Sequence, residues 1–159
     1  MKIKYWYILA VAVIVLDLIT KVVTEGINTE VIPGVLSFVS VHNTGASFSM
    51  LDGARWFFII LGIAFVVGMI LFDILGKVKL RYNAWYSVGF TLLLGGIIGN
   101  LIDRIALGYV RDFIRLDFMN FPIFNIADCA LCIGTVLIAI WILFFASKED
   151  DKEVKTYDK

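Results

Sequence analysis

Four apolar stretches, each long enough to cross a bilayer, constrain this chain more than any other feature. They run over Tyr5–Val23, Trp56–Leu75, Ala84–Ile102 and Ala127–Phe145. Crossing roughly 30 Å of hydrocarbon takes about 20 residues at 1.5 Å rise each. Lipid offers no partner to a bare backbone, so such segments must be helices. The first run follows Lys2 and Lys4, as in a secretory signal peptide. No A-x-A-like cleavage site follows it, so it reads as an uncleaved span. Composition agrees, with 60% of the residues hydrophobic and a mean hydropathy of +0.90. Soluble domains are only about 45–50% apolar. The formal net charge of zero leaves no basic surface for nucleic acid.

The expected fold is an all-α membrane protein with a small β element. It has four transmembrane helices and an extracytoplasmic β-cradle or loop region. Between the first two spans, Glu25, Gly26, Asn28, Pro33 and Gly34 break any long helix. Val35–His42 is β-branched and aromatic enough for one short strand, and Gly45 is the expected turn residue after it. Residues 1–147 read as one polytopic domain, and the charged tail over 148–159 has a disordered composition. Lys77, Lys79 and Arg81 gather in a short connection between spans, which marks that side as cytoplasmic. Four spans then put both termini in the cytoplasm, and Val110–Asp128 on the outer face.

Charged side chains inside spans cost about 2.5–3.5 kcal/mol each at a helix centre, so each needs a reason. Asp17 and Lys21 are four apart and share a helix face, as an ion pair or as support for a site within the bundle. Asn100, Asp103 and Arg104 can point one way at the end of the third span, beside Gly95, Gly96 and Gly99. Those glycines admit a close helix neighbour or a substrate helix. Asn125 and Asp128 begin the fourth span, and Asp112 lies a short loop earlier among Phe113, Phe121, Pro122 and Phe124. Apolar surroundings and a second carboxylate both push carboxylate pKa values up, so such a pair can share one proton and act as acid and base. Asp117 and Asp73 read as structural. Cys129 and Cys132 read as small buried hydrophobes, and His42 as a strand or loop histidine.

These blocks, in this order, resemble the lipoprotein signal peptidases, the bacterial membrane aspartyl proteases also called signal peptidase II. The resemblance rests on DLITK from Asp17, NTGASF from Asn43, GGIIGNLIDR from Gly95, VRDF around Asp112 and FNIAD ending at Asp128. It implies that Asp112 and Asp128 are the catalytic pair. It further implies that Asp17, Lys21, Asn43, Gly45, Asn100, Asp103, Arg104 and Asn125 support the site or bind substrate. The implied substrate is a diacylglyceryl-modified prolipoprotein in the inner membrane, cut just before its lipidated cysteine, by a monomer in contact with phospholipid and with no metal or other cofactor. Three features depart from the pattern. Ser47 stands where an alanine is expected, a change tolerable at a lipid-proximal turn that does not touch the chemistry. Arg111 stands where a hydrophobic residue is usual, suggesting a substrate or phosphate contact. The segment between the two aspartates is short for a lid.

A different class of function also fits intramembrane Asp, Asn and Arg, namely a small proton-coupled transporter subunit. A transporter would spread its polar residues through the whole membrane depth. Here they gather toward one face, and the second span is almost bare.

Overall fold

The protein is described by a computed structural model over residues 4–45, 50–75 and 84–146. The tail over 148–159, the cluster of Lys77, Lys79 and Arg81, and Ala46, Ser47 and Phe48 of the NTGASF block lie outside the described residues. The elements in order are α1 (Lys4–Val23), β1 (Thr29–Ile32), β2 (Leu36–Asn43), α2 (Arg55–Leu75), α3 (Ala84–Ala106), β3 (Val110–Leu116) and α4 (Ile126–Trp141). The end of α4 loosens into a π-helical turn, Ile142–Ala146. The four helices are the four apolar runs. Helix α3 continues one turn past Ile102, which carries Asp103 and Arg104 on the helix itself.

Helix α3 is the hub, packing most extensively on α4, then on α1, then on α2. Its glycines explain how. A Cβ on Gly96 would stand 2.6 Å from the Ala127 carbonyl oxygen and 2.8 Å from Leu131 Cγ, both on α4. One on Gly99 would stand 2.8 Å from Asp17 Oδ2, and one on Gly95 3.0 Å from the Ala10 carbonyl oxygen, both on α1. The glycine row therefore seats the two neighbouring spans, not a substrate helix. Gly96→Ala should force α4 away at the residue before Asp128. Overpacking of this kind costs about 1–3 kcal/mol. The expected result is a lowered unfolding temperature in detergent together with reduced peptidase activity.

The bundle turns its apolar side chains outward. Trp56, Phe57, Ile60, Phe65 and Phe72 of α2 are exposed, and Ile59 is its one buried residue among those described. Polar groups are inside, with Asp17, Lys21, Thr91, Asn100, Asp103 and Asn125 all buried. That inversion suits a lipid solvent, where exposed apolar surface costs nothing and polar groups must pair internally. An apolar cluster of Ala10, Tyr86, Phe90, Leu94 and Trp141 fills the other end of the bundle. There Tyr7 also ties α1 to α2, its hydroxyl donating to Asp73 Oδ2 at 2.7 Å. Cys129 is half-buried and Cys132 exposed, so the pair sits on the flank of α4 and not in the interior as expected.

A three-stranded antiparallel sheet, in the order β1-β2-β3, caps the end where α1 and α3 finish and α2 and α4 begin. The sequence reading expected one strand, and β1 and β3 are additions. Strand β2 pairs with β3 through Leu36 with Leu116, Phe38 with Ile114, Val41 with Asp112 and Asn43 with Val110. After β3 the chain folds back on itself. The Ile114 amide donates to the Phe124 carbonyl at 2.8 Å, and the Phe124 amide returns the bond at 3.1 Å. Arg55, at the start of α2, closes the end of α3. Its Nε and Nη2 donate to the carbonyls of Arg104 and Ile105, each at 2.9 Å. Those carbonyls have no partner within the helix, and a cation there also suits the negative end of the helix dipole.

Candidate active site

The site forms where β3 meets the start of α4, and one residue joins its two halves. Asn125 is the N-cap of α4. Its Oδ1 accepts from the Asp128 amide at 3.0 Å, and Asp128 Oδ2 accepts from the Asn125 amide at 3.2 Å. This reciprocal capping box satisfies two helix-end donors and fixes the Asp128 carboxylate. The same Asn125 donates through Nδ2 to Asp112 Oδ1 at 2.6 Å. Asp128 is thus a first-turn carboxylate serving its helix, as its position suggests, and is also bonded toward the second aspartate.

A second amide completes the bridge. Asn100 of α3 donates through Nδ2 to Asp128 Oδ1 at 2.7 Å and accepts from Asn125 Nδ2 at 3.1 Å. From the sheet side, Asn43 Nδ2 donates to Asp112 Oδ2 at 2.8 Å. The register makes this possible. Val41 faces Asp112, so Asn43, two residues on, is the diagonal neighbour of Asp112 on the same face. Asn43 Oδ1 meanwhile accepts from the Gly45 amide at 3.0 Å, which sets the start of the following loop. Asp112 is buried, and burial pushes its carboxyl up to about 6. The Asn43 bond works against that shift, whereas the nearby charge of Asp128 adds to it.

Behind the amides lies a buried ionic layer. Lys21 Nζ contacts Asp17 Oδ2 at 2.7 Å, Asn100 Oδ1 at 3.0 Å and Asp103 Oδ2 at 3.4 Å. Asp17 Oδ1 accepts from the Ala127 amide of α4 at 2.9 Å. Asp103 accepts from Arg111 three times, from Nη2 at 2.6 Å, from Nε at 3.2 Å and from the backbone amide at 3.0 Å. Arg104 donates through Nη2 to the Gly45 carbonyl at 3.0 Å and lies over the Phe58 ring, 4.8 Å from its centroid. It is also near enough to Asp128 and Asp112 to feel both charges.

The structure therefore brings all ten expected residues together: Asp17, Lys21, Asn43, Gly45, Asn100, Asp103, Arg104, Asp112, Asn125 and Asp128. Arg111, expected to reach substrate or a phosphate, instead turns inward to Asp103, and this pairing holds its guanidinium protonated even more firmly than usual. Spacing gave no hint of that partner. The short segment after Asp112 proves to be a hairpin secured by the Ile114–Phe124 bonds. Asp117 takes no part. At the sheet rim it accepts from Ser37 at 2.5 Å and Arg115 at 2.6 Å, which hold it below the usual carboxylate range. His42 pairs with Glu25 at 2.8 Å and stacks on Tyr109, away from the two aspartates' hydrogen bonds.

Two aspartates, hydrogen-bonded through shared amides and with one partly neutral near pH 6, can hold a water and exchange protons with it. Comparison with known proteins points to the same chemistry. The family model described as signal peptidase (SPase) II matches residues 9–144. A lipoprotein signal peptidase of Lactiplantibacillus plantarum is 39% identical over 146 residues, covering 87% of this chain and 93% of that one. Another, of Staphylococcus aureus, is 40% identical over 155 residues and covers 93% of each. A solved bacterial membrane enzyme superimposes with a TM-score of 0.81 at 38% identity, covering 88% of both chains. A second gives a TM-score of 0.78 at 37% identity, covering 90% of this chain and 95% of its own. None of these matches supports the transporter reading. The agreement runs through both the sequence and the fold, and this multi-pass bacterial membrane protein belongs to the signal peptidase II family of aspartic-type peptidases.

Proposed function

We propose that the chain removes the signal peptide from lipid-modified prolipoproteins, with Asp112 and Asp128 as its catalytic pair. The observation that carries the reading is the double use of Asn125, which caps the helix bearing Asp128 and donates to Asp112. In the proposed mechanism, the pair shares one proton and clamps a water. One carboxylate takes a proton as the water attacks the scissile carbonyl, and the other donates to the carbonyl oxygen. A proton then reaches the leaving amine. The two roles belong to the pair, because strongly coupled groups titrate together. In this reading Asn43, which donates to Asp112, and Arg104, which donates to the Gly45 carbonyl, orient the peptide.

The substrate in this reading carries a diacylglyceryl cysteine and is cut just before it. Its acyl chains stay in the bilayer while the scissile bond meets water at the membrane boundary. That geometry needs the sheet on the outer leaflet among phospholipid headgroups, and both termini in the cytoplasm. The reading assigns this work to a monomer. The test compares cleavage of a lipidated precursor with that of the same precursor lacking its lipid. Equal turnover of both would remove the lipid from the reading.

A pH profile tests the pair directly. The proton on Asp112 is lost as pH rises through about 6. Free-enzyme kcat/KM should therefore fall on the alkaline side once that shared proton is gone. Asn43 hydrogen-bonds the charged form of Asp112, so Asn43→Leu should let Asp112 keep its proton to higher pH. The alkaline limb should then move upward even if the maximum rate drops. A limb that moves downward would contradict the assignment.

A further inference from the structure

We propose that Arg111 is a positioning residue that sets how many protons the Asp112/Asp128 pair holds, by neutralising Asp103 and so leaving Lys21 to serve Asp17 and Asn100. The proposal rests on the reading of that pair as catalytic. Its starting point is an unexpected bond. Arg111 carries a guanidinium that turns inward and grips a fully buried carboxylate with two nitrogens, at 2.6 and 3.2 Å.

The charges around the site explain what that grip does. Lys21 on α1, Arg104 on α3 and Arg111 on β3 are positive. Asp17 on α1, Asp103 on α3, Asp112 on β3 and Asp128 on α4 are the carboxylates that face them. With a single proton on the Asp112/Asp128 pair, the three cations balance the three remaining negative charges. The other nearby charges are at the rim. Arg55 of α2 is spent on the carbonyl end of α3, and Glu25 pairs with His42 beside Tyr109 on the exposed side of Arg111. Water screens these far better than it screens the buried cluster.

Without Arg111, the buried cluster carries one uncompensated negative charge. Asp103, with Lys21 already 3.4 Å away, then competes for that ammonium against Asn100 at 3.0 Å. An unpaired buried charge is costly, and a second proton on the Asp112/Asp128 pair is the nearest remedy. A doubly protonated pair has no base to activate water. Arg111 thus acts through Asp103 and Lys21, without touching substrate.

The experiment measures kcat/KM against pH for the full chain in detergent with a lipidated precursor. Arg111→Met should move the alkaline limb up by about one pH unit, the lower end of what a close charge does to a carboxylate. Arg111→Lys keeps the charge and should restore the wild-type limb. Asp103→Asn removes a negative charge, so its limb should move the opposite way. Combining Asp103→Asn with Arg111→Met restores the balance and should return the limb toward wild type. A merely structural role would lower rates in all of these without moving any limb. The proposal is overturned if Arg111→Met and wild-type profiles superimpose, or if the double variant stays displaced as far as the single one. Should Arg111→Met fail to fold, the direction of the Asp103→Asn shift decides alone. Asp112→Asn, run alongside, separates the two levels. Surviving turnover there would overturn the catalytic pair, whereas unshifted profiles with an inactive Asp112→Asn would overturn only the role of Arg111.

Discussion

Asp112→Asn and Asp128→Asn should each abolish cleavage of a lipidated precursor while leaving the protein folded in the membrane. Asparagine keeps the shape of the side chain and one acceptor oxygen. In Asp128→Asn that oxygen can still accept from Asn100 or from the Asn125 amide, so the start of α4 survives. In Asp112→Asn it can still accept from Asn125 or Asn43. What neither variant retains is two carboxylates, one to take a proton from water while the other donates to the scissile carbonyl oxygen. General acid–base catalysis contributes about 10²–10⁴-fold, and here one pair does both jobs, so a loss of ~10³-fold or more is expected. The stability readout should move differently. Burial already disfavours the charged form of Asp112, so Asp112→Asn should unfold no lower than wild type. Asp117→Asn is the control and should cleave nearly as wild type, since the Asp117 carboxylate bonds Ser37 and Arg115 at the sheet rim. Near-normal turnover by purified Asp112→Asn would sink the assignment.

The largest loss of stability is expected from Lys21→Met. Lys21 is 1% exposed, and its ammonium is the shared centre of Asp17, Asn100 and Asp103. Asp103 would keep Arg111, and Asn100 Oδ1 would keep Asn125. Asp17 would lose its only ion-pair partner among the described residues, in a place with no exposure to solvent. Removing one member of a buried pair costs about 3–5 kcal/mol, a large share of the ~5–15 kcal/mol that holds a typical protein folded. Removing both charges, in Asp17→Asn with Lys21→Met, should recover much of the loss. Unfolding temperatures of the three proteins in one detergent give the comparison. A Lys21→Met protein as stable as wild type would show that Asp17 does not need its cation.

The helices were legible because lipid makes a simple demand, a long uninterrupted apolar run. Most of the site was legible for the converse reason, since Asp17, Asn100 and Asp103 are costly where they stand and needed partners. The partners themselves were harder to read. Nothing in the spacing said that Arg111 would turn inward, because its partner lies on a different element and the contact depends on how β3 enters from α3. Strand β1 is four residues long and exposed throughout, so it has no alternating pattern to detect. Strand β3 buries Val110, Asp112 and Phe113, breaking the alternation that marks a half-buried strand. The glycines announced close packing without naming the neighbour, which the fold alone supplies. The cysteines show the limit of composition. A small apolar side chain suits the interior of a membrane bundle and its lipid face equally well.

The contact between Asp17 and the Ala127 amide joins the first helix to the last across more than a hundred residues. A nascent chain makes these two segments far apart in time. When α1 enters the bilayer, neither α3 nor α4 has yet emerged to receive its polar groups. The Asp17–Lys21 pair, one turn apart on the same helix, offers a temporary solution, because the two charges can neutralise each other before any other helix arrives. The ion pair that later steadies the site is thus also a travelling companion for its own segment. Under the proposed assignment Asp128 lies on the final span, so the pair is complete only when that span docks, and a partly synthesised chain should not cut substrates at the insertion site.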